Sequence, residues 1–315
     1  MGIDRATINA ASSVITISRS TKSIRPASCA VRFRLFIIFL FIIIPYPIYS
    51  QSIEQLSDQI ATGSSEQKRN GLAQLRNIQS APASRVAAQA LKDPDELVRS
   101  TAIGAVIYLP ISEATTMIVP LLSDKAEFVR REAAYALGEL SSVDAVDPLS
   151  LLVRKDRAPI VRAAAAAALG RIGSESGLET LMAVMQRRPS PKDAFLRRAA
   201  ARSLGQIAER SRFGIVLDNL TTNTPADFLP EKYKQIVATP DTPKASPIYR
   251  GVLDILLKAS ANGKETDDTR REIAFALGSI GDAAAIPFLR SNIGSTDIYL
   301  GEICREALLK IAPQK

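Results

Sequence analysis

A ten-residue pattern recurs along this chain and constrains its fold more than any other feature. Its clearest copy runs from Val129 to Gly138, and similar segments begin at Val161, Leu196 and Thr269. In each copy a basic residue stands seven positions before a leucine and eight before a glycine. The basic residues of these copies and of two weaker ones are Lys68, Arg99, Arg130, Arg162, Arg197 and Arg270. The first four intervals are 31, 31, 32 and 35 residues, which is typical of proteins built from stacked repeats.

Each copy has the pattern of an amphipathic helix. At 100° per residue its apolar positions fall within about 100° of one another. In the clearest copy these positions are Val129, Ala133, Ala136, Leu137 and Leu140. A second apolar segment follows the copies, at 145–153, 178–185 and 284–293. Because a helix pair of this size cannot bury its apolar stripe alone, we predict an all-α fold: a right-handed α-solenoid of about six to seven stacked helix pairs.

The glycine that ends each copy supports stacking. The four are Gly138, Gly170, Gly205 and Gly278. Each would cost about 1 kcal/mol relative to alanine in a free helix. We therefore expect these glycines to lie where the backbones of neighbouring helices approach closely.

An aspartate precedes the basic residue by six positions in three consecutive copies. The pairs are Asp93 and Arg99, Asp124 and Arg130, and Asp156 and Arg162. With the Ala-Ala-x-Ala-Leu-Gly segment and a proline in the second helix, this pattern resembles HEAT repeats, of the short type also seen in phycobilin lyases. The resemblance covers about residues 64–311 apart from a gap. It implies the solenoid fold and says little about function.

The recurring Asp and Arg residues predict a structural ladder. We expect each aspartate, in the turn before a first helix, to accept hydrogen bonds from an arginine of its own repeat or the next. Charge-assisted bonds of this kind are directional and can set the stacking register. The alternative is an acidic and basic track that binds a ligand.

The composition excludes several kinds of site. The chain contains no histidine and two cysteines. This excludes a Ser-His-Asp or Cys-His nucleophile pair, imidazole metal ligands and the usual structural zinc sites. We predict no catalytic residues, no cofactor and no metal. Cys304, in the last helix, is interpreted as a small buried residue rather than a reactive thiol.

Residues 1–50 have the features of an N-terminal extension followed by a secretory signal peptide. Arg32 and Arg34 precede a ten-residue apolar run from Leu35 to Ile44, and cleavage is predicted after Ser50. Residues 51–315 then form the solenoid, exported to the periplasm or secreted. The alternative is a protein anchored to the membrane by an uncleaved leader.

The interval 205–269 contains no clear copy of the repeat. Residues 221–247 hold five prolines and are interpreted as a proline-rich insertion or a degenerate repeat. The segment 213–220 could form the second helix of the preceding repeat, and 249–260 could close a degenerate one.

Residues 187–212 form a basic cluster of eight cations and two acids. We interpret it as a partner-binding patch, with a solvated surface face as the alternative. The candidate binding residues are Arg187, Arg188, Lys192, Arg198, Arg202, Phe228 and Tyr233. Tyr135 and Phe275 occupy one repeat position and point away from the buried stripe, so they could mark a binding face or pack on a neighbouring repeat.

These observations predict an exported, non-enzymatic, monomeric scaffold that binds a protein partner, with the basic cluster favouring an acidic one. No nucleic-acid partner is expected, since most of the surplus charge lies in the leader: residues 1–50 carry six basic residues and one acidic residue, out of a net +8. The alternatives are an enzyme of the bilin-lyase or another HEAT-like type, and a polyanion-binding module.

Overall fold

The computed structural model describes residues 52–214 and 246–311, which belong to the second of two compact units, Gln51–Lys315. The predicted signal peptide, most of the proline-rich segment, and the candidate residues Phe228 and Tyr233 lie outside the described residues.

The described ranges contain fourteen α-helices and no strand. The first seven are α1 (Ile53–Thr62), α2 (Ser65–Ile78), α3 (Ala81–Ala87), α4 (Glu96–Val106), α5 (Ile111–Ile118), α6 (Glu127–Glu139) and α7 (Val146–Lys155). The others are α8 (Pro159–Ile172), α9 (Leu178–Gln186), α10 (Ala194–Phe213), α11 (Arg250–Ser260), α12 (Asp267–Ile280), α13 (Ile286–Asn292) and α14 (Ile298–Ile311).

The helices form two rows. The first helices of the repeats, α2, α4, α6, α8, α10, α12 and α14, pack on one another in chain order. The second helices, α3, α5, α7, α9, α11 and α13, each pack beside the first helices. The predicted α-solenoid is confirmed, with six helix pairs, α1 against the first pair and α14 after the last.

One continuous core runs between the rows, and the repeat pattern supplies it. The same repeat position is buried in six first helices: Leu75, Val106, Leu137, Leu169, Leu204 and Leu277. The sequence also marks where helices begin and end. The Ser64 side chain caps the start of α2, and Gly173 and Gly281 end α8 and α12 with positive φ of 71° and 76°.

The glycines lie at close approaches between successive first helices, as predicted. A Cβ on Gly138 would lie 2.9 Å from Cα of Ala168, and one on Gly278 would lie 2.7 Å from Cα of Ala307. Neither position can hold a side chain unless the helices move apart. The glycines therefore set how tightly α6 packs on α8 and α12 on α14.

The described helices on either side of the irregular interval pack as the two helices of one repeat. The first helix α10 continues to Phe213 and packs directly on α12, while α11 packs on α9 and α12 and serves as the second helix. Residues 215–245 thus fall between the two helices of one repeat. Of the segment 213–220 predicted as a second helix, Phe213 is instead the last residue of α10, which runs unbroken from Ala194. Residues 215–220 lie outside the described residues.

Candidate functional site

Six ion pairs join successive repeats along the edge where each first helix begins. In chain order they are Lys68–Asp93, Arg99–Asp124, Arg130–Asp156, Arg162–Asp193, Arg197–Glu265 and Arg271–Asp297. We call each pair a rung. In every rung the cation belongs to one repeat and the carboxylate to the turn that opens the next.

The Arg130 rung shows the geometry. Nε and Nη2 of Arg130 donate to the two carboxylate oxygens of Asp156 at 2.7 and 3.0 Å. Nη1 donates to the backbone carbonyl of Asp124 at 2.9 Å, and Asp156 also accepts from the backbone N–H of Ala158 at 2.8 Å. The side chains of Arg130 and Asp156 are only 7% and 5% exposed. One arginine therefore connects two turns, and both charged groups are well satisfied.

The direction of these bonds corrects the predicted pairing. The carboxylates of Asp124 and Asp156 accept from Arg99 and Arg130 of the preceding repeat, and not from the arginine six positions later. That later arginine instead binds the aspartate's backbone carbonyl, as Arg99 binds that of Asp93 at 2.8 Å. The reason is that each carboxylate turns back to cap its own turn, which leaves its outer side facing the preceding repeat.

Three rungs contain residues that the spacing rule did not find. Arg162 pairs with Asp193, and Arg197 pairs with Glu265 across 68 positions, so the chain interval exceeds one period. In α12 the rung cation is Arg271 rather than the aligned Arg270. A carboxylate shortly before each first helix was the available signal.

A pair of neighbouring arginines tests the rung. We expect Arg130→Ala to lower the free energy of unfolding by about 1–3 kcal/mol, because it leaves the buried Asp156 carboxylate without its partner. Arg131→Ala should cost less than about 0.5 kcal/mol, because Arg131 makes a surface pair with Glu132. Urea unfolding of the two variants measures this, and equal losses would contradict the rung's role.

The rungs also predict a dependence on pH. Burial opposes ionisation of Asp156, but the bonds from Arg130 and the Ala158 N–H outweigh it and lower the pKa. A carboxyl whose pKa is lower in the folded state stabilises the fold above its unfolded pKa, and this contribution is lost as pH falls below about 4. Asp156→Asn should therefore reduce stability at pH 7 by about 1–3 kcal/mol, and the difference from wild type should shrink towards pH 3.

Urea melts at pH 7, 5 and 3 measure the effect, with Asp254→Asn as control, since Asp254 is exposed on α11 and makes no ion pair with described residues. A loss for Asp156→Asn that stays constant from pH 7 to pH 3 would refute the assignment.

The structure does not keep the predicted basic cluster together as one free patch. Arg197 is buried in its rung. Nη1 of Arg198 lies 3.3 Å from Oδ2 of Asp268, and Nη1 of Arg202 lies 3.1 Å from Oε2 of Glu272. The acidic partners come from the loop and helix that follow the irregular interval, so local sequence could not reveal them. In the turn 187–192, Arg187, Arg188 and Lys192 are exposed and make no ion pair within the described residues.

A groove of about 690 Å³ lies over the outer face of α8. Its floor is made by Ala163 and Ala167, whose methyl groups leave a trough between larger side chains. Tyr135 of α6 forms one wall and Phe195 of α10 lies on the other. Both aromatic side chains are accessible, 40% and 64% exposed respectively, and sequence reasoning missed Phe195.

The groove is lined by more positive than negative charge. Four arginines and one acidic residue line it: Arg171, Arg198, Arg202, Arg210 and Glu139. Two of the predicted binding residues, Arg198 and Arg202, thus reach this groove although each also pairs with an acid of α12. The combination of an apolar floor, exposed aromatic rings and guanidinium groups suits a ligand with both apolar and carboxylate groups.

The described ranges hold no group of three or more residues suited to binding a metal ion. Cys304 is buried, and burial raises the pKa of its thiol to about 11, which confirms it as a buried structural residue. Across 52–214 and 246–311, no helix is long and apolar enough to cross a membrane.

Comparison with family models identifies the repeats. A HEAT-repeat model matches residues 84–170 and 147–228, and a model of the PBS lyase HEAT-like repeat matches 269–295. This chain is a HEAT-repeat protein. Comparison with curated proteins finds no significant match.

Solved structures of low sequence identity are similar to this HEAT-repeat protein. The complex of CpcE and CpcF of phycocyanin lyase from Nostoc has 18% identity and a TM-score of 0.45, with 84% of this chain and 90% of that chain covered. Human deoxyhypusine hydroxylase has 17% identity and a TM-score of 0.36, with 83% of this chain and 96% of that chain covered. A designed armadillo repeat protein in complex with a peptide has 15% identity and a TM-score of 0.40, with 83% of this chain and 100% of that chain covered.

Proposed function

We propose that this HEAT-repeat protein is a non-enzymatic scaffold that binds a protein partner in the groove over α8. The observation that carries the proposal is the groove itself. Its alanine floor lies between the exposed aromatic side chains of Tyr135 on α6 and Phe195 on α10, the two helices that flank α8. Exposed aromatic residues beside a concave apolar surface are typical of the central part of protein interfaces.

The charges around the groove favour an acidic partner. Arg171 is exposed at the C-terminal end of α8 and makes no ion pair within the described residues. Arg198 and Arg202 pair with acids at partly exposed positions, where an ion pair contributes little and a partner carboxylate can compete. A partner segment with apolar side chains flanked by Asp or Glu would pack its apolar groups on the alanine floor and pair its carboxylates with the arginines that line the groove.

We also propose that the protein acts outside the cytoplasm as a monomer, with the mature chain beginning at Gln51. The support is Arg32 and Arg34 before the apolar run 35–44. N-terminal sequencing and intact mass of the native protein test this. We expect a mature N-terminus near Gln51 in the exported fraction. A cytoplasmic species that retains residues 35–50 would contradict it.

Filling the groove tests the binding site. Ala167→Trp places a large side chain on the floor without changing charge. Ala73→Trp is the matched control, because Ala73 is exposed at the corresponding position of α2. A partner is first captured from the native compartment on the chain from Gln51 onward and identified, and its affinity for each purified variant is then measured.

We expect Ala167→Trp to weaken partner binding at least tenfold and Ala73→Trp to leave it within twofold of wild type. Circular dichroism should show equal helicity in all three proteins. If Ala167→Trp binds the partner as wild type does, the groove is not the binding site.

A further inference from the structure

Three consecutive repeats present the same pair of exposed side chains where the first helix begins. A cation in the turn is followed three residues later by a large apolar residue. The pairs are Lys125 and Phe128, Arg157 and Ile160, and Lys192 and Phe195. All six side chains are exposed. We call these six residues the turn edge.

The rungs leave the turn edge with surplus positive charge. The acids directly beside these cations are Asp124, Asp156 and Asp193, and each is held by an arginine of the preceding repeat. Glu127, two positions after Lys125, is exposed and makes no ion pair within the described residues. None of Lys125, Arg157 and Lys192 makes an ion pair within the described residues. The three cations therefore outnumber Glu127, the one acid among these neighbours that no arginine holds, and the turn edge keeps a surplus of positive charge for a ligand carboxylate.

The three turns are close enough to act together. Nη2 of Arg157 donates to the backbone carbonyl of Lys125 at 3.4 Å, so neighbouring turns touch. Helices packed in this way have axes about 8–10 Å apart. This spacing is near the screening length of about 8 Å at physiological salt, so the potentials of adjacent turns overlap.

The spacing selects a backbone conformation for a ligand that crosses the repeats. A polyproline II helix has three residues per turn and rises about 3.1 Å per residue, so every third side chain returns to the same face after about 9 Å. A β-strand returns a side chain to the same face after about 6.6 Å, and an α-helix has a pitch of about 5.4 Å. Of these three conformations, the polyproline II repeat is the one that matches the step of about 8–10 Å expected between packed helices.

We propose that the turn edge binds a polyproline II segment that carries a carboxylate at every third residue. The carboxylates bind Lys125, Arg157 and Lys192, and the apolar residues on the next face of the segment contact Phe128, Ile160 and Phe195. This inference deepens the proposed function, because Ile160 and Phe195 also line the groove over α8. The groove and the turn edge then form one continuous surface for an acidic partner.

The probe is a fluorescein-labelled peptide of Glu-Leu-Pro repeated four times. The control peptide has the same composition, with its four glutamates consecutive. The row variant combines Lys125→Glu, Arg157→Glu and Lys192→Glu. The control variant combines Arg250→Glu, Lys258→Glu and Arg290→Glu, which reverse the same number of exposed cations on second helices and leave the turn edge intact.

Fluorescence anisotropy should show wild type binding the periodic peptide at least tenfold more tightly than the control peptide. The row variant should bind the periodic peptide at least tenfold more weakly than wild type. The control variant should keep an affinity within twofold of wild type, and the circular dichroism of both variants should be unchanged. Equal binding of the two peptides, or equal losses in the two variants, would overturn the proposal. So would binding to phosphatidylglycerol vesicles without binding to the periodic peptide, which would make the turn edge a membrane contact.

The two proposals can fail separately. If the periodic peptide does not bind while Ala167→Trp still abolishes binding of the captured partner, the groove stands and the turn edge is wrong. If the periodic peptide binds as expected and Ala167→Trp has no effect on the partner, the proposed groove is wrong and the turn edge stands.

Discussion

The ion pair between one repeat and the next is the interaction on which the rest of this structure depends. A helix pair buries its apolar stripe only against its neighbours, so the fold requires each repeat to stack in one register. The rung fixes that register because a single arginine binds a carboxylate of the next turn and a carbonyl of its own. Removing either charge would leave the other buried and uncompensated, which is strongly unfavourable.

The same interaction explains how the stack tolerates a long interruption. Arg197 of α10 pairs with Glu265, which lies just before α12, although 68 positions separate them. Arg197 also binds carbonyls of Val184 and Arg187 near the end of α9. A second pair, Lys310 with the fully buried Glu209, joins α14 to α10. These contacts of α10 with the turn before α12 and with α14 therefore hold the repeats in order across the interval.

Much of the fold could be predicted from the sequence, because the repeat places the same buried residue at each period. The position of Leu137 and the close approach at Gly138 follow from spacing alone. The partners of the charges could not be predicted in the same way. Arg198 and Arg202 are about 70 positions from Asp268 and Glu272, and the periodicity that would align them is broken by the irregular interval.

The candidate site was only partly predictable for a related reason. Exposure of Tyr135 follows from its angle on α6, and Arg198 and Arg202 were expected to be accessible. A groove, however, is a relation between three helices, and its floor consists of residues with almost no side chain. The run 163–168 indicated tight packing, and that is correct for Ala164, Ala165, Ala166 and Ala168, which are buried. Ala167 faces outward instead, and its small size shapes the surface.

The position of the groove follows from how one repeat position varies along the first helices. From α2 to α12 this position is occupied by Ala73, Gly104, Tyr135, Ala167, Arg202 and Phe275. A trough requires a small residue between two large ones. Ala73 and Gly104 are neighbours, so no wall separates them, whereas Ala167 lies between Tyr135 and Arg202. Within the described first helices, this condition is met at α8 alone. Because the rungs make every repeat stack in the same way, the surfaces of successive repeats differ mainly in the size of the side chains at this position. The local departure from the repeat, rather than the repeat itself, is where specificity for a partner can arise.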